Sequence, residues 1–183
     1  NRIVRYSITP SSFTPGFTPF DDEIVRERGE WGVVVKKKIV SRKGGKLRHD
    51  KGALVDVPAG ALSSDADVSI EEIEPPVSSA QADFAARGAA YEFGAENAIL
   101  KTSVTISLPY DSYDPAKESL SAAYWNASAE QWELLESDID TAEKLVKAKT
   151  TRFALYQVAA STAARGQLRP AGGTRRTTVN ELQ

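Results

Sequence analysis

The sequence predicts an all-β protein: an antiparallel β-sandwich with an extended N-terminal arm and a C-terminal tail. Two observations carry this prediction. Short runs with alternating apolar side chains follow one another from about residue 31 to residue 160, and turn-forming residues separate them at intervals of about 8–12 residues. Before this stretch the chain is interrupted by Pro10, Pro15 and Pro19, and beyond Ala160 the alternation is lost. We therefore expect residues 1–25 to form the arm, 26–160 the sandwich and 161–183 a polar, basic tail or linker.

The composition excludes several kinds of site. The chain has 183 residues, enough for one domain whose core needs no metal or disulfide. It contains no cysteine, which rules out thiol nucleophiles, zinc–thiolate sites and disulfides. Its only histidine is His49, so a histidine-based triad would need that residue. The net charge of −2 provides no overall attraction to nucleic acid.

Two further absences bear on location. The chain contains no methionine, and we therefore expect it to be a processed or trimmed product. No run of about 18 apolar residues occurs, so we expect no membrane span.

The arm divides into a strand and a connector. NRIVRYSITP alternates, with Val4, Tyr6 and Ile8 on one face, as in a single strand. SSFTPGFTPF follows, and its prolines remove backbone donors, so it is predicted to be an extended connector.

The first half of the sandwich reads as strands separated by a turn. The basic run from Lys36 to Arg48 is broken by Gly44-Gly45 and predicts a solvated hairpin. Further strands are predicted at Val55 and Val57 and at Val68 and Ile70. SSAQADFAARG favours either one or two helical turns or a loose insertion.

The second half has the clearest alternation. Leu100, Thr102, Val104, Ile106 and Leu108 share one face of a half-buried strand that ends at Pro109. LSAAYWNASAEQWELLE predicts a hairpin with Tyr124 and Trp125 before its loop and Trp132 and Leu134 after it. KLVKAKTTRFALYQVAA predicts the last pair of strands.

Three segments, in this order, resemble a known family. They are GGKLRHDKGALVDVPAGALSSDADVSIEEIE, YEFGAENAILKTSVTISLPYD and AAYWNASAEQWELLESDIDTAEKLVKAKTTRFALYQV. Together they are similar to ZU-type β-sandwich modules, which occur in ankyrins, netrin receptors, zonula-occludens scaffolds and bacterial surface proteins. The match covers about residues 38–160. In it, Val57-Pro58-Ala59-Gly60-Ala61-Leu62 matches the family's Val-Pro-x-Gly-Ala-Leu corner, whereas Ala95 and Thr102-Ser103 depart from the usual proline and Lys-Pro.

The corner also has a physical interpretation. Pro58 ends strand pairing and Gly60 lets the backbone turn, so Ala61 and Leu62 are expected to return to the core.

TTRFALYQV, residues 150–158, is where the resemblance bears on chemistry. In self-cleaving relatives of the function-to-find type, a His-Phe-Ser motif cuts the chain before its serine, with the histidine as base. The matching residues here are Arg152, Phe153 and Ala154, which supply neither the hydroxyl nor the base. We expect a plain core strand, with Phe153 and Leu155 on one face and Ala154 and Tyr156 on the other.

Other candidate sites have weaker patterns. The basic run lacks the interleaved aromatic residues of a nucleic-acid site, and His49 is expected to be an exposed residue of a polar turn. Acidic pairs occur in several loops and allow low-specificity calcium binding, but none has regular ligand spacing, and no cofactor is predicted. Tyr124, Trp125 and Trp132 form either a sugar-stacking platform or, more commonly at hairpin spacing, core and cross-strand pairs.

We therefore expect a non-catalytic structural or interaction module rather than an enzyme, and the resemblance implies an extracellular or cell-surface protein. Its expected partners are protein, either copies of itself or a neighbouring surface component, with no nucleic acid. One hypothesis is that Asn1–Pro10 adds as a strand to a neighbouring subunit through Val4, Tyr6 and Ile8 and so builds filaments. The alternatives are that the arm folds back on its own sandwich, or that the chain is a carbohydrate-binding module.

Overall fold

The protein is all-β, as the sequence predicts. The computed structural model describes residues 24–30, 32–76, 85–115 and 117–161, and these contain no helix, hence none that would cross a membrane. Their thirteen strands are β1 (Ile24–Arg28), β2 (Val33–Ile39), β3 (Gly45–Arg48), β4 (Leu54–Val57), β5 (Ala66–Ile73), β6 (Ala85–Ala86), β7 (Ala90–Ala95), β8 (Val104–Pro109), β9 (Ser119–Asn126), β10 (Gln131–Leu134), β11 (Ser137–Asp140), β12 (Leu145–Thr150) and β13 (Leu155–Ser161).

The strands form two antiparallel sheets. The large sheet has the order β1-β2-β5-β7-β13-β9-β10, and β6 also pairs with β13. The small sheet has the order β11-β12-β8-β4-β3. The chain passes repeatedly between the sheets, so neighbours in sequence often lie in different layers.

The core lies between the two sheets. It takes Val35, Ile70 and Tyr156 from the large sheet and Val55 and Ile106 from the small sheet, and all five are fully buried. Alternation along each strand places these side chains inward, which is what the period-two pattern predicts. The predicted inward positions of Val57, Val68, Val104 and Leu108 are confirmed in the same way.

The Val57–Leu62 corner behaves as expected. Gly60 has a φ of +78° and donates its N–H to Ser41 O over 2.7 Å. Ala61 and Leu62 then return to the core, where both are completely buried. The corner therefore carries the chain from β4 in the small sheet towards β5 in the large sheet.

The basic run is not a hairpin. β2 pairs with β1 and β5, whereas β3 pairs with β4 in the other sheet. The turn before β3 is real, with Gly44 at a φ of +67° and its N–H bonded to Val40 O over 2.9 Å. The prediction of a hairpin was wrong because two strands joined by a tight turn can lie in facing sheets as easily as in one.

TTRFALYQV is not one continuous strand. β12 ends at Thr150, β13 begins at Leu155, and residues 151–154 cross from the small sheet to the large one. Phe153 and Ala154 both pack against the core between the sheets, together with Tyr156, while Leu155 packs in a separate cluster. Ala154 therefore shares the side of Tyr156 as predicted, whereas the predicted face was wrong for Phe153, because the alternation begins only at Leu155.

Three other boundaries differ from the prediction. The strand expected from Leu100 starts at Val104, and Leu100 instead makes an isolated bridge to Leu62. The segment with a predicted helical turn has its described end, Ala85–Ala86, in a strand, and residues 78–84 lie outside the described residues. Ile24–Arg28 forms an edge strand, and its first two residues had been assigned to the arm.

Candidate functional site

The crossover between β12 and β13 lies at one end of the sandwich and contains Arg152, Phe153 and Ala154, which occupy the positions that the resemblance implies for a self-cleavage motif. Thr150 Oγ1 lies 2.7 Å from Tyr156 Oη, and Tyr156 Oη donates to Arg152 O over 2.7 Å. The Arg152 N–H donates back to Thr150 Oγ1 over 3.2 Å. Both hydroxyls are therefore committed to holding the crossover backbone.

This arrangement holds no activated nucleophile. Ala154 has no hydroxyl, and its carbonyl accepts the Phe93 N–H over 3.0 Å. His49 follows β3, at the end of the small sheet away from Thr150, as the registers of β3, β4, β8 and β12 require. His49 and the Thr150 hydroxyl thus lie at opposite ends of the small sheet, too far apart to act as a base and its nucleophile.

A polar cluster beside the crossover ties it to the β9–β10 hairpin. Glu133 accepts a hydrogen bond from Tyr124 Oη and another from Asn126 Nδ2, the latter over 2.5 Å. The Arg152 guanidinium lies 4.6 Å from the centre of the Tyr124 ring, within cation–π range. These contacts join the hairpin to the crossover.

The pKa shifts in this cluster favour a charged Glu133 and a neutral Tyr124 rather than groups that transfer protons. The hydrogen bond from Tyr124 is the largest influence lowering the pKa of Glu133, and the bond from Asn126 lowers it further. The same Glu133 hydrogen bond, together with burial, raises the pKa of Tyr124. Each pKa is moved further from neutral pH, whereas a general acid or base works best with a pKa near the working pH.

The three aromatic residues of the predicted sugar platform lie on two different faces. Tyr124 faces the core between the sheets, whereas Trp125 and Trp132 face the other side of the large sheet. The two tryptophans are directly paired across β9 and β10, with ring centres 5.5 Å apart and planes at 63°. Trp132 is only 3% exposed, so Trp125 is the more accessible ring of the two.

The outer face of the large sheet carries an apolar cluster that sequence reasoning missed. Its members come only from the large sheet, so it lies on the face turned away from the core; we call it the outer patch: Ile73, Ala90, Ala123, Trp125, Trp132, Leu155 and Ala159. Leu134 lies on the same face of β10 and is 42% exposed. All members of the patch except Ile73 and Trp125 are buried in the folded chain, so the patch is a covered apolar cluster, and Leu134 beside it is an exposed apolar side chain.

A signal for the outer patch was present in the sequence. β13 reads LYQVAAS, and its first six residues are all buried, because it is a central strand covered on both faces. A continuous apolar run without alternation is typical of such a strand. Gln157 is the polar exception, and its Nε2 donates to Gly88 O over 2.9 Å.

His49 is buried, and the prediction of an exposed residue was wrong. It is 2% exposed, and its ring packs edge-on against Tyr91 with centres 5.5 Å apart. Nδ1 accepts the Lys51 N–H over 3.2 Å, so Nε2 carries the proton and donates to Val33 O over 2.9 Å. The ring joins the β3–β4 turn to the start of β2, which is a structural role.

The basic residues are partly neutralised by acidic neighbours. Lys36 lies 3.2 Å from Glu27 and 3.3 Å from Glu96, and Lys46 lies 2.9 Å from Asp56. These pairs reduce the positive potential that a nucleic-acid surface would need.

The remaining candidates give no assembled site. In residues 24–30, 32–76, 85–115 and 117–161, no three His, Asp or Glu side chains come together as metal ligands would. The proposed assembly residues Val4, Tyr6 and Ile8 lie outside these ranges. A scan against protein-family models matches no family, and a search of curated proteins finds no similar protein. The ZU-type resemblance stays a prediction.

Proposed function

We propose that the chain is a non-catalytic structural module, of ZU type, from a surface or extracellular protein, and that it assembles with copies of itself by N-terminal strand addition. The observation that carries the proposal is the open form of the large sheet. Among the described strands, β1 pairs only with β2 and β10 only with β9, so the sheet ends at two edges. A sheet edge is a template on which a further strand can pair.

The sequence supplies a suitable strand. In Asn1–Pro10, Val4, Tyr6 and Ile8 alternate with other residues, which is the pattern of a strand with one apolar face. Backbone hydrogen bonds would provide affinity, and the alternate side chains would provide specificity.

The non-catalytic part of the proposal is supported by the crossover. Thr150 and Tyr156 bond to each other and to the Arg152 backbone, and Ala154 replaces the hydroxyl that the self-cleaving relatives use. The residues there stabilise the fold.

The test compares the full chain with a variant lacking Asn1–Pro10. We expect light scattering to show multimers of the full chain and monomers of the truncated one. Val4→Ser, Tyr6→Ser and Ile8→Ser together should have the effect of the deletion, whereas Arg5→Ser with Thr9→Ser, on the other face of the predicted strand, should assemble normally. An unchanged mass distribution after the deletion would contradict the proposal.

Carbohydrate binding is the weaker candidate, because Tyr124 lies on a different face from the two tryptophans and Trp132 is almost fully covered. It predicts that tryptophan fluorescence responds to some member of a glycan panel and that Trp125→Ala abolishes the response. Strand addition predicts no glycan response.

A further inference from the structure

We infer that the acceptor of the added strand is the β10 edge of the large sheet in a second copy of this chain. This inference rests on the proposed function. It follows from a comparison of the four edge strands, from the exposed Leu134 beside the outer patch, and from the positions of β1 and β10 at opposite edges of the large sheet.

Charge distinguishes the four edges. β3 carries Lys46 and Arg48, β11 carries Asp138 and Asp140, and Arg26–Arg28 places three charged residues in a row on β1. Charged side chains on an edge strand discourage pairing with another chain. β10 reads QWEL and carries one charged residue, Glu133, against two on β3, two on β11 and three on β1.

The side-chain faces also match at β10. Trp132 and Leu134 lie on the outer face of this strand, and Leu134 is 42% exposed. A strand paired beside β10 with Val4, Tyr6 and Ile8 on the outer face would continue the outer patch by one strand. Leu134 would then lose much of its contact with water, which favours association.

The topology favours a contact between copies. The added strand precedes β1, which is at one edge of the large sheet, and β10 is at the opposite edge. A return to the same chain's β10 would cross six strand spacings of about 4.8 Å each, whereas consecutive elements usually lie side by side. Donation from one edge and acceptance at the other produces head-to-tail contacts, which build filaments when they do not close into a ring.

The connector is long enough for this contact. Residues 11–23 are thirteen residues, and an extended chain covers about 3.3 Å per residue, or roughly 43 Å. That reach covers a neighbouring copy placed edge to edge, and it also exceeds the roughly 29 Å to the same chain's β10, so the cross-linking test is designed to distinguish the two.

Cysteine cross-linking provides the test, because the chain has no native cysteine. Two donor variants of the full chain, Arg5→Cys and Ser7→Cys, leave the apolar face of the added strand intact. Each is mixed with one acceptor variant and oxidised, so that a disulfide forms only between copies whose strands are adjacent. The acceptors place one cysteine on each edge: Gln131→Cys on β10, Asp138→Cys on β11, Lys46→Cys on β3 and Ile24→Cys on β1.

We expect Gln131→Cys to give at least ten times the donor–acceptor dimer of any other acceptor. A higher yield at β11, β3 or β1 would overturn the choice of β10 and leave the proposed function standing. A disulfide within one chain of the double variant Arg5→Cys with Gln131→Cys, without any between chains, would mean that the arm folds back on its own sandwich. No cross-link at any edge, with monomers by light scattering, would overturn the proposed function itself.

A substitution on the acceptor supplies a second test that leaves the donor unchanged. Leu134→Lys adds a charge at the exposed end of β10 and should weaken self-association at least tenfold. Ile99→Lys is the control, because Ile99 is 72% exposed and lies in the loop between β7 and β8. Equal self-association of Leu134→Lys and the unchanged chain would overturn the choice of β10.

Discussion

The hydroxyls of Thr150 and Tyr156 lie 2.7 Å apart and join the last strand of the small sheet to the last strand of the large sheet. Both residues are buried, and Tyr156 also donates to Arg152 O in the crossover between them. A bonded pair of buried hydroxyls costs little in desolvation, whereas a single one left without its partner is expensive. The pair therefore closes the sandwich at this end.

Removing either hydroxyl should lower the free energy of unfolding, and removing both should lower it by less than the sum of the two single losses. We expect Thr150→Val and Tyr156→Phe each to lower the free energy of unfolding by about 1–2 kcal/mol, with a coupling of about 0.5–1.5 kcal/mol in the double variant. Urea unfolding measures all three values. Thr151→Val, at the exposed neighbouring position, is the control and should cost less than about 0.5 kcal/mol. Fully additive losses would contradict a shared hydrogen bond.

Two buried tyrosines should make the protein sensitive to alkali. Burial raises the pKa of Tyr91 and of Tyr156 to about 12. Above the ordinary tyrosine pKa of about 10, the unfolded chain releases protons that the folded protein retains. The stabilisation is therefore complete below about pH 10 and is lost as the pH rises towards 12, by about 1.4 kcal/mol per pH unit for each tyrosine.

Urea unfolding at about pH 9, 10 and 11 tests this expectation. Tyr156→Phe should remove part of the pH dependence, because Tyr91 and Tyr124, whose pKa is also raised, remain. Tyrosinate absorbance should show at least two residues that ionise only as the protein unfolds, and ionisation of every tyrosine in the folded protein near pH 10 would contradict the assignment.

The ion pair between Arg87 and Glu118 should contribute to stability except in acid. Arg87 Nη2 lies 2.6 Å from Glu118 Oε2, and this hydrogen bond is the main reason that the pKa of Glu118 is lowered. A lowered pKa stabilises the folded state above the ordinary glutamate value of about 4.3, and the contribution is lost as the pH falls through the folded value.

Glu118→Gln should therefore be less stable than the unchanged protein at pH 7, and the difference should shrink as the pH falls below about 4. Urea midpoints measured between about pH 3 and 7 give the comparison. Glu74→Gln, at an exposed position, serves as the control. A difference that stays constant over this range would exclude the ion pair as its cause.

His49 should be a stability residue rather than a functional one. His49→Ala removes the ring from Tyr91 and leaves Val33 O and the Lys51 N–H without their partner, so we expect a loss of about 2–4 kcal/mol. Arg48→Ala, one residue earlier and exposed, should cost less than about 0.5 kcal/mol. Thermal unfolding of both variants measures the contrast, and equal losses would mean that the ring contributes little.

The sequence was sufficient for the fold class and for most inward-facing positions, because alternation reports directly which side chains are buried. Val55 and Val57 illustrate this, and so does the Tyr124–Trp132 hairpin, whose two strands pair as predicted. Assignment of strands to sheets was less successful. β2 and β3 are joined by a short turn and still lie in different sheets, because nothing local to Gly44 specifies which neighbour a strand will pair with.

Burial of polar residues was the other feature that the sequence did not predict. His49 sits between Arg48 and Asp50, a context typical of a surface turn, and its environment comes from Val33 and Tyr91 on distant strands. The outer patch was missed for a similar reason. Its alanines come together as one apolar cluster only when β7, β13 and β9 lie side by side.

Two glycines with positive φ should differ in how well they tolerate a side chain. Gly60 has a φ of +78°, and an added Cβ would meet nothing within 4 Å, so Gly60→Ala should cost only the conformational strain, about 1–2 kcal/mol. Gly88, between β6 and β7, has a φ of +129°, and its Cβ would lie 2.8 Å from Pro109 O. Because that contact is with backbone of the facing sheet, Gly88→Ala should cost about 2–4 kcal/mol. Urea unfolding of the two variants measures the difference, and equal losses would show that the facing backbone yields to the added methyl group.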